Sequence, residues 1–250
     1  MPRPIVFTEE MKQQARKDFE EILNDLKMSD GKLRYNKSYE YEANRITVSL
    51  SIEAYKKMIA LVTDFADEVA WHGTVSRLSD REFIVEDVFV YPQEVTGSSV
   101  QTDQNEYTKW LYELDDEVFN KIRMHGHSHV NMGVSPSGID DKHRQQILDQ
   151  MEQDMFYVFM IFNKSLSIYT LVYDMGSNVL YEDKDIDVKL YHGEGIVVLL
   201  KLSITPWGSR LGNTVCDVLY IIILYLPEYI AVYEYPSASS YIYEDYRSKR

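Results

Sequence analysis

Three histidines at alternate positions occupy the segment Met124-His125-Gly126-His127-Ser128-His129, and after seven more residues comes Ser137-Gly138-Ile139-Asp140. Neutral imidazoles and a carboxylate suit a catalytic Zn2+, which takes three protein ligands and leaves a fourth position open for water. In a strand, side chains two apart point the same way and lie about 6.6 Å apart along it, so His127 and His129 can address one ion. His125 shares that face, but about 13 Å of strand separates it from His129, so the three cannot converge without a bend. A third ligand must come from elsewhere, and Asp140 suits the role. The loop 131–136 lets the chain turn back, and Ser137 can cap the next helix, placing Asp140 in its first turn. His143, three residues further on the same helix face, competes for the role, but the motif spacing favours Asp140. His125 reads as a core or surface residue.

A hydrolase also needs a base for the attacking water. Glu68, Glu82, Glu86 and Glu94 are the candidates. Glu68 stands out because it sits where a helix hands over to a strand, in Glu68-Val69-Ala70-Trp71-His72-Gly73. An acid at the head of a central strand can reach a neighbouring strand's end. There it can take a proton from water and pass it to a leaving amine. His72 and Trp71 lie in the same strand; Trp71 reads as core.

The elements that must position these groups can be read from periodicity. Thr8 caps a helix with Met11, Ala15, Phe19, Ile22 and Leu26 on one stripe, stopped at Ser29-Asp30-Gly31. Short strands occupy 32–50, the clearest being 45–50. Ser51 caps a second helix with Ile52, Tyr55, Ile59, Val62 and Ala66 on its buried face. Strands over 68–78 and 82–91 form a hairpin. Residues 93–105 read as loop and 106–120 as a third helix. A strand then carries the histidines, a helix runs over 137–153, and strands follow at 155–162 and 167–174. Helices and hairpins mix, so the fold class is α+β (mixed α/β), a central mixed sheet flanked by helices. The expected organisation is an N-terminal helix with short strands (1–45), a catalytic domain (46–190) and a C-terminal extension (191–250). The acidic cluster 182–187 marks the boundary and reads as solvated.

The chain has 250 residues, 45% hydrophobic and 26% charged, with a formal net charge of −14. That acidity disfavours nucleic-acid binding. The single cysteine, Cys216, excludes an internal disulfide, a cysteine-rich zinc site and the distant Cys pair of a zinc deaminase. It reads as a small buried hydrophobe, and the chain as cytoplasmic. No signal peptide is expected at the N-terminus. The apolar run Val218 to Leu226 is shorter than the roughly 20 residues of a membrane span, so it reads as a buried strand and no membrane partner is expected. A tail rich in Tyr and Ser follows. Oligomeric state is not legible.

A Glu, then His-Ser-His, seven residues, then Ser-x-x-Asp: this arrangement resembles the JAMM (MPN-plus) metallopeptidases. The motif covers Glu68 to Asp140, and the order of elements over about 46–175 looks like the MPN domain. The resemblance implies zinc on His127, His129 and Asp140, Glu68 as general acid/base and Ser137 stabilising the tetrahedral oxyanion. It also implies a protein or peptide substrate, with ubiquitin-like tails among the candidates, cleaved at a peptide or isopeptide bond. The local sequence looks more like a bacterial or bacteriophage member than a eukaryotic deubiquitinase. A metal-free MPN-like scaffold or binding module is the non-enzymatic alternative. One departure is Val130, where many members carry proline after the second histidine.

Overall fold

Runs such as Ile46-Thr47-Val48-Ser49-Leu50-Ser51 and Phe156-Tyr157-Val158-Phe159-Met160-Ile161-Phe162 are rich in β-branched and aromatic residues, which favour a pleated, buried surface. In the computed structural model, which describes residues 1–25, 36–38, 45–96, 99–192 and 196–199, they form strands of one mixed sheet. Its strands in chain order are β1 (Arg3–Pro4), β2 (Ile46–Ser51), β3 (Ala70–Ser79), β4 (Glu82–Phe89), β7 (Ile122–Ser128), β8 (Phe156–Phe162), β9 (Ile168–Asp174), β10 (Val179–Tyr181), β11 (Ile186–His192) and β12 (Ile196–Leu199). Two further strands, β5 (Glu94–Thr96) and β6 (Ser99–Gln101), pair with each other. Across the main sheet the order is β1-β10-β9-β8-β7-β3-β4-β2-β11-β12. Pairs β7–β8, β2–β4 and β2–β11 are parallel and the others antiparallel. The mixed α+β class is therefore as expected.

The five α-helices among the described residues are α1 (Glu9–Asp25), α2 (Ile52–Asp64), α3 (Gln104–Glu113), α4 (Asp116–Lys121) and α5 (Gly138–Leu148). Ser51 does cap α2, its hydroxyl accepting the Ala54 amide at 3.0 Å. The buried face of α2 is Ala54, Tyr55, Met58, Leu61 and Val62, rotated from the expected stripe; Ile52 and Ile59 are only half-buried. Tyr55 stacks on Phe162, placing α2 over that face of the sheet. Alternation along β8 puts Phe159 on the opposite face, where it clusters with Leu148 at the end of α5, Tyr157, Leu171 and Leu180. Helices thus cover both faces of a sheet whose centre holds Trp71, Phe83, Met124, Met160 and Phe162.

Several boundaries differ from expectation for local reasons. Residues 93–105 contain the β5–β6 hairpin. The helix expected over 106–120 breaks at extended Leu114, and Asp116 and Glu117 favour a fresh helix start. The helix after the histidines stops at Leu148 rather than 153. The acidic cluster is not wholly solvated: Asp185 is buried and pairs with the N-terminal ammonium at 3.5 Å, and Asp183 accepts the Thr170 amide at 3.2 Å. Nor does the sheet stop at 190, since β11 reaches His192 and pairs with β2, while β12 pairs with β11. Residues 3–4 join it at the other edge, so Met1–Lys201 form one compact unit. Residues 36–38 form no strand; the rest of the strands expected within 32–44, Leu26 with the helix stop at 29–31, Cys216, the run 218–226 and the tyrosine-rich tail lie outside the described residues. No helix among the described residues is long and apolar enough to cross a membrane.

Candidate metal centre

β7 and β3 occupy the middle of the sheet, and their register brings the chemistry together. Ala70 lies opposite His127, Trp71 opposite Gly126 and His72 opposite His125. Gly126 is required by packing. A Cβ there would sit 2.4 Å from Nε1 of the fully buried Trp71. The glycine between two histidines therefore lets the indole cross behind them while both imidazoles face the other side.

Past the end of β7 the His129 amide still donates to the Phe162 carbonyl at 2.9 Å, which extends the pairing with β8 by one residue. The chain then turns and enters α5. Ser137 caps that helix: its hydroxyl accepts the Asp140 amide at 3.3 Å, and the Ser137 amide donates to Asp140 Oδ2 at 2.6 Å. This reciprocal capping box aims the Asp140 carboxylate back at the strand end. His127 Nε2 lies 3.0 Å from Asp140 Oδ1, and His129 Nε2 lies 3.4 Å from Oδ2. The three donor atoms all fall within 4.8 Å of one another, a group that can hold a metal ion.

The spacing and chemistry of the donor set suit a small divalent ion such as zinc. Four ligands at 2.0–2.1 Å in a tetrahedron stand about 3.3 Å apart, close to the spacing seen here. His127 Nε2 is buried with no hydrogen-bond partner. Its 3.0 Å approach to Asp140 is one of charge and proximity, without hydrogen-bond alignment. His129 Nδ1 lies 2.7 Å from the Gly133 carbonyl. A carbonyl only accepts, so Nδ1 carries a proton and Nε2 is the nitrogen left to offer a lone pair to a metal. Burial alone would raise the Asp140 carboxyl, but His127 and the hydrogen bonds at Ser137 outweigh it and hold the group well below the usual carboxylate range.

Glu68 lies just ahead of β3 and is 7% exposed. The backbone beside it is tied to β7, with the Val69 amide donating to Ser128 Oγ at 2.9 Å and the Ser128 amide to the Val69 carbonyl at 2.8 Å. Gln93 clamps the next residue, accepting the Ala70 amide and donating to its carbonyl, each at 2.8 Å. Burial lifts the Glu68 carboxyl above its ordinary value; His129 and His127 pull it down, and Asp140 pushes it up. The pairing of β3 with β7 thus puts Glu68 near the strand end that carries the histidines, close enough for all three groups to act on its charge. The other candidate bases lie elsewhere. Glu82 pairs with Ser79 at the far end of β3, Glu86 bonds Ser76 and Lys121, and Glu94 lies in β5.

The remaining histidines are satisfied in other ways. His125 Nε2 is 3.3 Å from the Tyr91 hydroxyl, and burial, with His143 and His72 nearby, pushes its pKa well below the ordinary value. His143 meets the His125 ring edge-on at 4.5 Å and is outside the ligand group. His72 Nδ1 faces the Met124 carbonyl at 3.3 Å, and its Nε2 faces the Tyr107 hydroxyl at 2.8 Å. Sequence reasoning passed over Ser128, Gln93 and Gly133. Of these, only Ser128 carried a signal, its place between the two ligands. Val130 has φ of 44°, a turn that proline, locked near −65°, cannot adopt.

No known family model matches the chain, and no curated protein sequence matches it. Among solved structures it is similar to the solution structure of protein DSY2949 from Desulfitobacterium hafniense, with 14% identity and a TM-score of 0.39 over 59% of this chain and 96% of that one. A likeness that faint carries no argument about function.

Proposed function

We propose that this chain is a zinc-dependent peptidase or isopeptidase of the JAMM type, built on an MPN-like domain. The observation that carries the reading is the convergence of His127, His129 and Asp140 with the buried Glu68 beside them. Zinc, when bound, would polarise the scissile carbonyl and make water a competent nucleophile near neutral pH. Glu68, its carboxyl lifted by burial, takes the proton from the attacking water and hands it to the leaving amine. Asp140 stays ionised, held by the Ser137 cap, so the two carboxylates divide the work between base and ligand. The Ser137 hydroxyl, at the helix start, is the donor assigned to the developing oxyanion. The substrate is a protein or peptide, with ubiquitin-like tails the first class to try. A cytosolic setting suits a chain with one cysteine.

The test has two stages. Elemental analysis is expected to find about one zinc per chain in the wild type and little in His129→Ala; equal zinc in both removes the assignment. Host lysate is then incubated with the wild type and with Glu68→Gln, and new N-termini are compared by mass spectrometry. Glu68→Gln should keep the metal and lose ~10²–10⁴-fold in cleavage. Cleavage that does not depend on Glu68 would overturn the base, and no cleavage at all would turn the reading toward a binding module.

A further inference from the structure

The turn between β8 and β9 grips the loop after the second histidine at three points. The Phe162 carbonyl accepts the His129 amide at 2.9 Å, and the Lys164 amide donates to the Val130 carbonyl at 2.7 Å. Between them, Asn163 Nδ2 donates to the Met132 carbonyl at 2.8 Å. The bonds at Phe162 and Lys164 are backbone bonds that many residues could make. The bond from Asn163 depends on the side chain. Asn163 is 5% exposed, and its Oδ1 accepts the Ser167 amide at 3.0 Å and the Ser165 hydroxyl at 2.9 Å. Two donors on Oδ1 leave Nδ2 to face Met132, so the partners set the amide's orientation. Aspartate of the same size lacks the donor, and leucine lacks both functions.

The residue after Met132 is Gly133, whose carbonyl holds His129 Nδ1. This loop needs an anchor. Residues 131–133 are exposed, and the turn opens with a β-branched residue at positive φ, a conformation that persists only where its surroundings enforce it. We propose that Asn163 is a positioning residue for the metal centre. By holding the Met132 carbonyl it sets the Gly133 carbonyl, which fixes the tautomer and direction of His129. The proposal rests on the metal reading above.

Asn163→Asp tests it. The variant keeps size and the acceptor for Ser167 and Ser165, but turns an oxygen toward the Met132 carbonyl. Ser165→Ala, which removes a bond on the hairpin side alone, is the control. Zinc affinity is measured by competition with a chromophoric chelator. Ligand geometry is read from the visible absorption of the cobalt-substituted protein. Asn163→Asp should bind zinc about 10-fold more weakly or worse, within the range carried by hydrogen-bond partners of metal-ligating histidines. Its cobalt spectrum should change, while Ser165→Ala matches the wild type in both. If Asn163→Asp does not fold, Asn163→Ser carries the comparison, because its short hydroxyl can serve Ser167 but cannot span to Met132. Wild-type affinity and spectrum in the Asn163 variant would overturn the proposal. So would equal losses in Asn163→Asp and Ser165→Ala, which would mark a purely structural turn. A wild type that takes up no metal would overturn the metal reading itself, a result distinct from a metal-binding wild type with an indifferent Asn163.

Discussion

His72 and His125 face each other across β3 and β7, while His127 stands at the carboxyl end of the same β7 and His129 just past it. The first pair is closed off. Tyrosine hydroxyls meet both Nε2 atoms, and Tyr91, Tyr107 and Trp110 pack around the His72 ring. The second pair turns its Nε2 atoms to a carboxylate held by a helix cap. Residue type and strand parity are the same in both. What differs is the partner of each lone pair. An imidazole met by tyrosine and backbone is a satisfied polar group, whereas one whose Nε2 meets only Asp140 can serve as a ligand.

Four tests probe that contrast, in descending size of effect. The largest comes from exchanging the pairs. His127→Ala should lower zinc from about one per chain to less than about a tenth, while His125→Gln keeps it. Loss of metal in His125→Gln, measured by elemental analysis, would erase the distinction between the pairs.

The next concerns acid. Burial pushes the His72 pKa down to about 4, below the usual value near 6.5. The unfolded chain therefore takes up this proton as pH falls through about 6.5, and the folded chain does not until about 4. The stability that neutral His72 preserves is complete above about pH 6.5. It falls by about 3 kcal/mol on the way to pH 4. Denaturant melts of chelator-treated protein should show that fall, and His72→Gln should flatten it. An unchanged slope in the variant would mean that His72 titrates normally and the closed pair is open to water.

Gly126 joins the two pairs, since Trp71 crosses behind it. Gly126→Ala should cost about 1–3 kcal/mol through overpacking. Trp71→Leu in the same chain should recover part of the melting temperature lost. A neutral Gly126→Ala would show that the indole has room to move. The smallest effect is expected at Val130, where Val130→Gly relieves a β-branched residue at positive φ but gives the unfolded chain more freedom. A net gain of about 0.5–1 kcal/mol in thermal stability is expected, with zinc affinity unchanged. A loss of stability would place the turn in another conformation.

Much of the candidate ligand group was legible because its determinants are local. His127 and His129 share a face through the two-residue period of a strand, and Ser137 and Asp140 meet through the capping geometry of a helix start. The boundaries that went astray, at 106–120 and 137–153, are those where several weak local preferences compete. The burial of Asp185 could not be read from a run of acids, because its partner is the chain's own N-terminus.

By itself, then, the sequence determined the His-x-His strand, the capped helix carrying Asp140 and the mixed α+β class, since each follows from dihedral preferences and periodicity over a few neighbouring residues. Tertiary structure alone decided the rest. Pairing of β3 with β7 brought Glu68 near the histidine-bearing strand end and left Glu82 at the other end of the hairpin. The parallel pairing of β7 with β8 set Asn163 under the Met132 carbonyl, and the loop's path delivered the Gly133 carbonyl to His129. Strand order and register are settled by burial summed over the whole sheet. No local pattern in the chain contains that sum.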